Sequence, residues 1–339
     1  MILDQLKIPI VLAPLAGGPS TPEIAAAVAD AGGLGFVAAG YLSAGDLAQR
    51  IETTRSLTTG QIGVNVFVPG PPADPATYRG FVEGLRAWAD TEGVPLGEPR
   101  YGDDDWSAKL DLLLGDPVPV VSFTFGCPDR EVIDRFRRAG SEVWVTVTSP
   151  EEASQAETAG ADVLVLQGGE AGGHRGSFVD RPDLPVYGLL ALLSLVPQAA
   201  SLPMVASGGI GTPRALAAAL STGAMAAQIG TAFLLCPEAG TTGAHRAAVK
   251  TQRETALTRA FTGRLARGIR NQFLDQHSAG APIAYPEIHY VTAPMRQQAR
   301  QAGNPELVNL WAGEAHALAE EAPAAEIARR LAAGASVSR

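Results

Sequence analysis

Apolar and polar positions along the chain fall into a recurring junction. A segment of helical periodicity closes on a small residue and Gly, and a β-branched apolar run follows at once. The junction appears at AGGLGFVAAG (31–40), AGSEVWVTV (139–147), AGADVLVLQG (159–168) and TGAMAAQIG (222–230). In each, the Gly supplies a left-handed helix C-cap and the unbroken apolar run reads as a strand buried on both faces of a parallel sheet. The pattern predicts eight strands, at 10–14, 34–38, 63–67, 118–123, 142–147, 162–166, 204–206 and 226–229. Helix start signals fall between them: Ser20, Thr21 and Pro22 before EIAAAVADAG, Ser43 before AGDLAQRIE, Asp129 before REVIDRF, Ser149 and Pro150 before EEASQAETAG, and Thr212 and Pro213 before RALAAALSTG. Eight parallel strands with short returns predict a TIM (β/α)8 barrel in preference to a doubly wound sheet, which more usually stops at about five or six strands.

Two regions depart from the repeat. Residues 69–117 are rich in Pro, Gly and acid, with helix candidates at 76–91 and 107–114, and read as an insertion after the third strand. From 237 onward the pattern is helical, broken at Pro282, Pro286, Pro294 and Pro305. The expected organisation is a barrel over 1–236, carrying the insertion at about 69–117, and a helical extension over 237–339 that covers the barrel mouth. The acidic run Asp103, Asp104, Asp105 cannot converge on one ion from a single extended segment, so it reads as a solvated turn or helix N-terminus, and no metal site is expected.

Composition narrows the partners. With 46% hydrophobic and 18% charged residues the 339-residue chain can bury a sizeable core, and its net charge of −9 speaks against nucleic acid or an anionic membrane surface as the main partner. The two cysteines, Cys127 and Cys236, form neither a CxxC pair nor a disulfide framework and read as small buried hydrophobes in a reducing compartment. Asp4 and Lys7 lead straight into the first strand without a signal-peptide pattern, and no apolar span approaches the roughly twenty residues of a membrane helix. The expectation is a cytoplasmic monomer or homodimer acting on a small molecule.

Candidate chemistry collects at strand ends. The sixth strand runs into ADVLVLQGGEAGGHRGSF (161–178), where Gly168, Gly169, Gly172, Gly173 and Gly176 surround Glu170, His174 and Arg175. Five glycines about one histidine suit a loop whose backbone approaches a ligand; a flexible surface loop with an incidental His is the plainer alternative. The seventh strand ends SGGIGT, with Ser207, Gly208 and Gly209, and the eighth ends QIGT, with Gln228, Ile229, Gly230 and Thr231. Paired glycine turns after these two strands predict a phosphate site, where backbone N–H groups and a helix N-terminus converge on the anion. The first strand ends APLAGG, with Ala13, Pro14 and Leu15; the third carries the neutral amide of Asn65; the fourth ends SFTFGCP, whose Phe123 and Phe125 sit at the mouth or in the core.

The set APLAGG, NVFV (65–68), SFTFGCP and QGGEAGGHRG (167–176) resembles the motifs of class I nitronate monooxygenases, formerly 2-nitropropane dioxygenases, from the first strand through the QIGT turn. The resemblance implies a TIM barrel binding FMN across its mouth. Its phosphate would lie on Gly208, Gly209, Gly230 and Thr231, with Ala13, Pro14, Leu15, Asn65, Gln167, Gly172 and Gly173 along the ring and ribityl chain. It implies His174 as the catalytic residue that deprotonates the carbon beside a nitro group, and a histidine pKa of about 6.5 suits a base near neutral pH. It implies oxidation of nitronates, or nitroalkanes, by O2 to a carbonyl compound and nitrite. The substrate pocket would take Phe123, Tyr285 and His289. Where relatives carry Tyr, Tyr and Lys at four-residue spacing, this chain has Tyr285, His289 and Ala293, so the cation is missing and a more neutral substrate is expected.

Two rival readings stay open at this point. An FMN-dependent NAD(P)H reductase of the enoyl-acyl-carrier-protein or quinone type shares the glycine-rich loop, although SFTFGCP and Gln167 favour the monooxygenase. A non-catalytic flavin-binding protein would need His174 only as a satisfied buried side chain.

Overall fold

Why the chain closes on itself is visible in the strands. A computed structural model describes residues 1–333. In chain order the strands are β1 (Ile10–Leu12), β2 (Gly35–Ala38), β3 (Ile62–Phe67), β4 (Val120–Thr124), β5 (Glu142–Val147), β6 (Val163–Gln167), β7 (Gly173–His174), β8 (Met204–Ser207), β9 (Ala226–Ile229), β10 (Thr255–Thr258) and β11 (Ala266–Ile269). Eight of them form one parallel sheet in the order β1-β9-β8-β6-β5-β4-β3-β2, and a parallel bridge from Val11 to Leu34 joins the two ends. The result is the expected TIM barrel, with all eight predicted strands in place. The anticipated helix starts are real caps: Thr21, Ser43, Asp129, Ser149 and Thr212 each accept a hydrogen bond from a backbone N–H in the first turn of the following helix. Gly140 and Gly160 close their helices in the left-handed conformation at φ 94° and 103°.

The barrel interior is filled from its N-terminal end. Phe36 and Trp144 pack 6.1 Å apart among Val11, Leu34, Val163 and Val205, and Leu3 of the short helix Ile2–Gln5 closes the bottom. A ligand can therefore enter only at the opposite mouth, where the strands' carboxyl ends gather.

The insertion contributes two helices with different partners. Trp106–Gly115 packs against the barrel helices Ala44–Leu57 and Arg130–Ala139, while Pro75–Glu92 turns the other way and buries Val82 and Leu85 against Ile288, Val291 and Met295 of the helix Glu287–Gln301. The final helix Ala324–Ala332 returns to the barrel, burying Ile327, Ala328 and Leu331 beside Pro22–Asp30 and Pro213–Ser221. The chain between 237 and 323 is thus an excursion over the mouth that ends back in the helical ring.

The tail is not wholly helical. β10 and β11 form an antiparallel pair, and β11 pairs in turn with β7, setting Ala266 opposite His174 and Arg267 opposite Gly173. These strands, TALT and ARGI, are short, and they are held by each other and, through β11, by the loop strand β7. Tertiary pairing overrides weak local propensity here. No helix among the described residues is long and apolar enough to cross a membrane.

Candidate active site

The strand ends and the cover enclose a cavity of about 440 Å³. Its barrel wall brings together Ala13, Pro14 and Leu15 after β1, Asn65 of β3, Gln167, Gly172, Gly173 and His174 around β6, Ser207, Gly208 and Gly209 after β8, and Gln228, Ile229, Gly230 and Thr231 after β9. His289 and Ala293 line it from the cover.

The two glycine turns form a cradle of free donors. Among the described residues the backbone N–H groups of Gly209, Ile210, Gly230 and Thr231 donate to no protein acceptor, and the side chains of Ser207 and Gln228 make no hydrogen bond. Gly209 holds φ at 71°, a conformation that side-chain-bearing residues rarely adopt. The site fits a phosphate bound by backbone amides.

Asn65 is oriented unambiguously. Its Nδ2 donates to the Ser122 carbonyl at 3.3 Å, to Ser122 Oγ at 2.8 Å and to Thr124 Oγ1 at 3.0 Å, which leaves Oδ1 as an acceptor for a ligand N–H.

Gln167 acts otherwise than a ligand contact alone. Its Nε2 donates to the His174 carbonyl at 3.0 Å and its Oε1 accepts from the Gly176 N–H at 2.8 Å, so both ends of the amide brace the loop. Arg175 does the same work, donating from Nη1 to the Gln167 carbonyl at 2.7 Å. Glu170 receives the Leu189 N–H on both carboxylate oxygens, at 3.1 and 3.0 Å, and so caps the helix Leu189–Leu195. Of the three ionisable groups in the loop, only His174 faces the cavity.

His174 is held by aromatic edges and one hydroxyl. Phe125, Tyr285 and Trp311 lie 5.7, 5.6 and 5.5 Å from its ring centre. Nε2 is 2.9 Å from Thr262 Oγ1, and Thr262 is itself buried. Burial, reinforced by the positive charges of Arg264 and Arg296, pushes its pKa down to about 3. The side chain is a neutral imidazole at neutral pH and a weaker base than the ordinary histidine value suggests. His289 is pushed to about 2 by burial first and Arg296 next.

Two substrate-pocket expectations need correction. Phe123 does not line the cavity: it is fully buried, 5.8 Å from Trp106 and 5.8 Å from Phe136. Strand alternation explains this, since Asn65's partners Ser122 and Thr124 point inward and Phe123 must point to the helices. Phe125, one residue past β4 and at φ 77°, swings back to the cavity in its place. Tyr285 stands behind His174 and donates from its hydroxyl to Tyr41 Oη at 3.2 Å. His289 lines the cavity and stacks on Tyr41 at 4.4 Å with the rings 5° apart.

Tyr41 was not anticipated. It follows β2, at a strand end like the other site residues, and its φ of 68° marks backbone strain at the cavity wall. Asp104 fixes it by accepting the Tyr41 N–H at 2.8 Å while pairing with Lys109 Nζ at 2.7 Å, which removes Asp104 from the solvated turn expected for it. Thr262, Trp311 and the arginines come from the cover and carried no periodic signal. The missing cation is also corrected: Ala293 is neutral, but Arg296 and Arg300 of the same helix line the same cavity. Cys127 and Cys236 are free thiols, each pushed up to about 12 by burial.

Replacing Gly209 by Val is expected to strip the cradle's ligand while the barrel still folds, since the strain of roughly 1–2 kcal/mol is local to the turn. The ratio of phosphate-ligand occupancy to melting temperature measures this, and full occupancy in Gly209→Val contradicts the assignment of the cradle.

Comparison with known proteins agrees with this geometry. The family model described as nitronate monooxygenase matches residues 2–334. A probable nitronate monooxygenase from Staphylococcus aureus (strain Newman) is 36% identical over 330 residues, covering 94% of this chain and 92% of its own length. The crystal structure of a nitroalkane oxidase from Streptomyces ansochromogenes superposes with a TM-score of 0.96 at 48% identity, covering 100% of this chain and 98% of that one. FabK from Thermotoga maritima is more distant, with a TM-score of 0.77 at 25% identity over 99% of this chain and 96% of its own.

Proposed function

Because the chain belongs to the nitronate monooxygenase family, we propose that it is an FMN-dependent oxidoreductase that converts alkyl nitronates, and nitroalkanes through their nitronates, with O2 to a carbonyl compound and nitrite. The observation that carries this reading is a neutral imidazole, His174, on the wall of a cavity that also holds a cradle of free backbone donors. FMN bound there would accept electrons from the nitronate and pass them to oxygen. The turns at Gly208, Gly209, Gly230 and Thr231 would hold its phosphate, and Asn65 Oδ1 would accept from a ring N–H. A terminal phosphate site with no second nucleotide-binding domain among the described residues favours FMN over FAD.

The chain's own part in the chemistry is proton transfer and exclusion of water. A neutral nitroalkane must lose the proton on the carbon beside nitrogen, and the electron pair of that C–H bond then moves into the nitro group to give the nitronate. The tautomer of His174 decides which nitrogen can take this proton. Thr262 Oγ1 lies 2.9 Å from Nε2 and has the Arg264 carbonyl at 3.3 Å as a second acceptor for its hydroxyl; with its hydrogen turned to that carbonyl it would accept from Nε2–H and leave Nδ1, which has no protein partner among the described residues, as the base.

Thr262→Val removes the acceptor that selects this tautomer. The ¹⁵N resonances of labelled His174 are expected to show the Nε2–H form in the parent and a mixture in the variant. Nitroalkane turnover should fall several-fold, in keeping with a hydrogen bond worth about 1 kcal/mol, and Thr262→Ser should restore both. An unchanged ¹⁵N spectrum in Thr262→Val removes Thr262 from the mechanism.

The function is tested by incubating the purified yellow protein with a primary alkyl nitronate in air without nicotinamide. Nitrite is the expected product, and heat-released flavin should chromatograph as FMN. The likeness to FabK keeps one alternative in the same assay: rapid bleaching of the flavin by NADH, with no nitrite from nitronate, assigns the cavity to a reductase.

A further inference from the structure

Where this chain buries an arginine for structure it usually supplies a counter-ion or a carbonyl cage. Arg259 pairs with Asp180 at 2.6 Å and Arg267 with Glu314 at 3.0 Å, while Arg175 and Arg264 donate to loop carbonyls away from the cavity wall. Arg296 and Arg300 differ. They sit one turn apart on the helix Glu287–Gln301, both line the cavity, and neither has a carboxylate within ion-pair distance among the described residues. Arg296 is 3% exposed. Its Nε donates to Thr292 Oγ1 at 3.0 Å and its Nη2 to the His289 carbonyl at 2.7 Å, while Nη1 reaches Asn309 Oδ1 only at 3.5 Å. Arg300 donates from Nη2 to the same Asn309 oxygen at 2.6 Å.

All of these acceptors are neutral. A guanidinium carries five N–H donors, so Arg296 keeps Nη1–H bonds unspent and Arg300 keeps more. A structural cross-link between this helix and Asn309 would be served by neutral side chains; two like charges side by side in a desolvated wall raise the cost of burial instead. That cost is offset when an anion binds between them.

We propose that Arg296 and Arg300 form an anion subsite of the cavity that grips a planar two-oxygen anion, a nitronate or a carboxylate, through the guanidinium fork. Both groups present two coplanar oxygens at the spacing that a guanidinium matches, which is the geometry of strong paired charge-assisted hydrogen bonds. Arg296 also contributes to the positive field that keeps His174 deprotonated, so the subsite and the base address the same ligand. The subsite rests on the reading of this cavity as the place where nitronates are oxidised, and it extends that reading to how the anion is held.

The test follows the flavin absorbance of the FMN-saturated holoenzyme: the concentration dependence of the rate of its anaerobic reduction by ethyl nitronate gives the nitronate affinity, and equilibrium perturbation of the oxidised flavin gives those of propionate and of propionamide, the neutral control. Arg296→Gln and Arg300→Gln are compared with the parent, and Arg296→Lys probes whether the fork or only the charge is needed. Loss of one partner from a desolvated charge pair is expected to weaken anion binding by about thirty-fold or more, with propionamide unchanged. Weakening of both anions, or of the nitronate alone, assigns the pair to the reacting group; weakening of propionate alone assigns it to a carboxylate tail on the substrate. Unchanged affinity for both anions in either flavin-retaining variant overturns the proposal. So does a fall in FMN affinity equal to the fall in anion affinity, which would give the guanidiniums to the cofactor's phosphate. Propionate binding needs no turnover, so Arg296-dependent binding without any nitrite production would fail the proposed function alone and leave the subsite standing.

Discussion

His174→Ala or His174→Asn is expected to slow oxidation of a neutral nitroalkane by about a hundred- to ten-thousand-fold, the usual cost of losing a general base, and to spare most of the turnover of the corresponding nitronate. The nitronate has already lost the proton that His174 is proposed to remove, so it would bypass the step. Because misfolding or lost flavin would depress both substrates alike, the ratio of the two rates isolates the base. The environment of His174 adds a second expectation. With its pKa pushed to about 3, the imidazole is unprotonated throughout the range in which the protein can be assayed. kcat/KM for the nitroalkane, which reports groups of the free enzyme, should therefore show no acid limb near pH 6.5. A limb at that pH that disappears in His174→Asn would mean that the histidine is far more solvated than its surroundings allow. Equal losses on both substrate forms, with flavin retained, would instead make His174 an orienting group.

Acidification should destabilise the fold steeply before most carboxylates titrate. His174, His245 and His289 are pushed to about 3, 4 and 2, each by burial before any other cause. Their folded pKa values lie below the unfolded value of about 6.5, so the unfolded chain takes up protons that the folded one refuses. The stability they confer is complete above pH 6.5 and is lost as pH falls toward the folded values. Each histidine contributes a slope of about 1.4 kcal/mol per pH unit inside that window, and the three together about 4 kcal/mol per unit near pH 5. Urea midpoints measured between pH 7.5 and 5.5 should drop accordingly. His245, whose Nε2 lies 3.0 Å from the Trp311 carbonyl, can be replaced by Gln to remove about a third of the slope. Midpoints that stay level across this range would show that the three rings are protonated in the folded protein.

The barrel was legible because each of its signals is local. A helix cap such as Ser149, a glycine such as Gly160 and an apolar run such as 163–166 speak for themselves within about ten residues. The cradle was legible for the same reason, since SGGIGT and QIGT are single turns. Phe123 was misread because the strand's inward parity had to be known before its side chain could be placed, and Ser122 and Thr124 set that parity only through Asn65 on the neighbouring strand. Thr262, Trp311 and Arg296 were out of reach of any local rule. Thr262 comes to His174 on the turn of a hairpin that pairs with the loop itself, Trp311 through a bridge to Gly268 of that hairpin, and Arg296 on the helix Glu287–Gln301, and nothing in TALT or ARGI announces the loop as a partner. Tyr41 lay within reach, three residues beyond the second strand, at a strand end like most of the other cavity residues.

The pairing of β7 with β11 has a consequence for how the molecule is made. A ribosome delivers chains from the N-terminus and domains begin to fold in that order. All eight barrel strands have been synthesised before Ala266, the residue that zips onto His174. Until then the imidazole hangs on a loop without its backbone partner, without Thr262 and without the aromatic wall of the cover. The barrel strands can take shape first, and the corner that holds His174 is closed over afterwards by later residues of the cover.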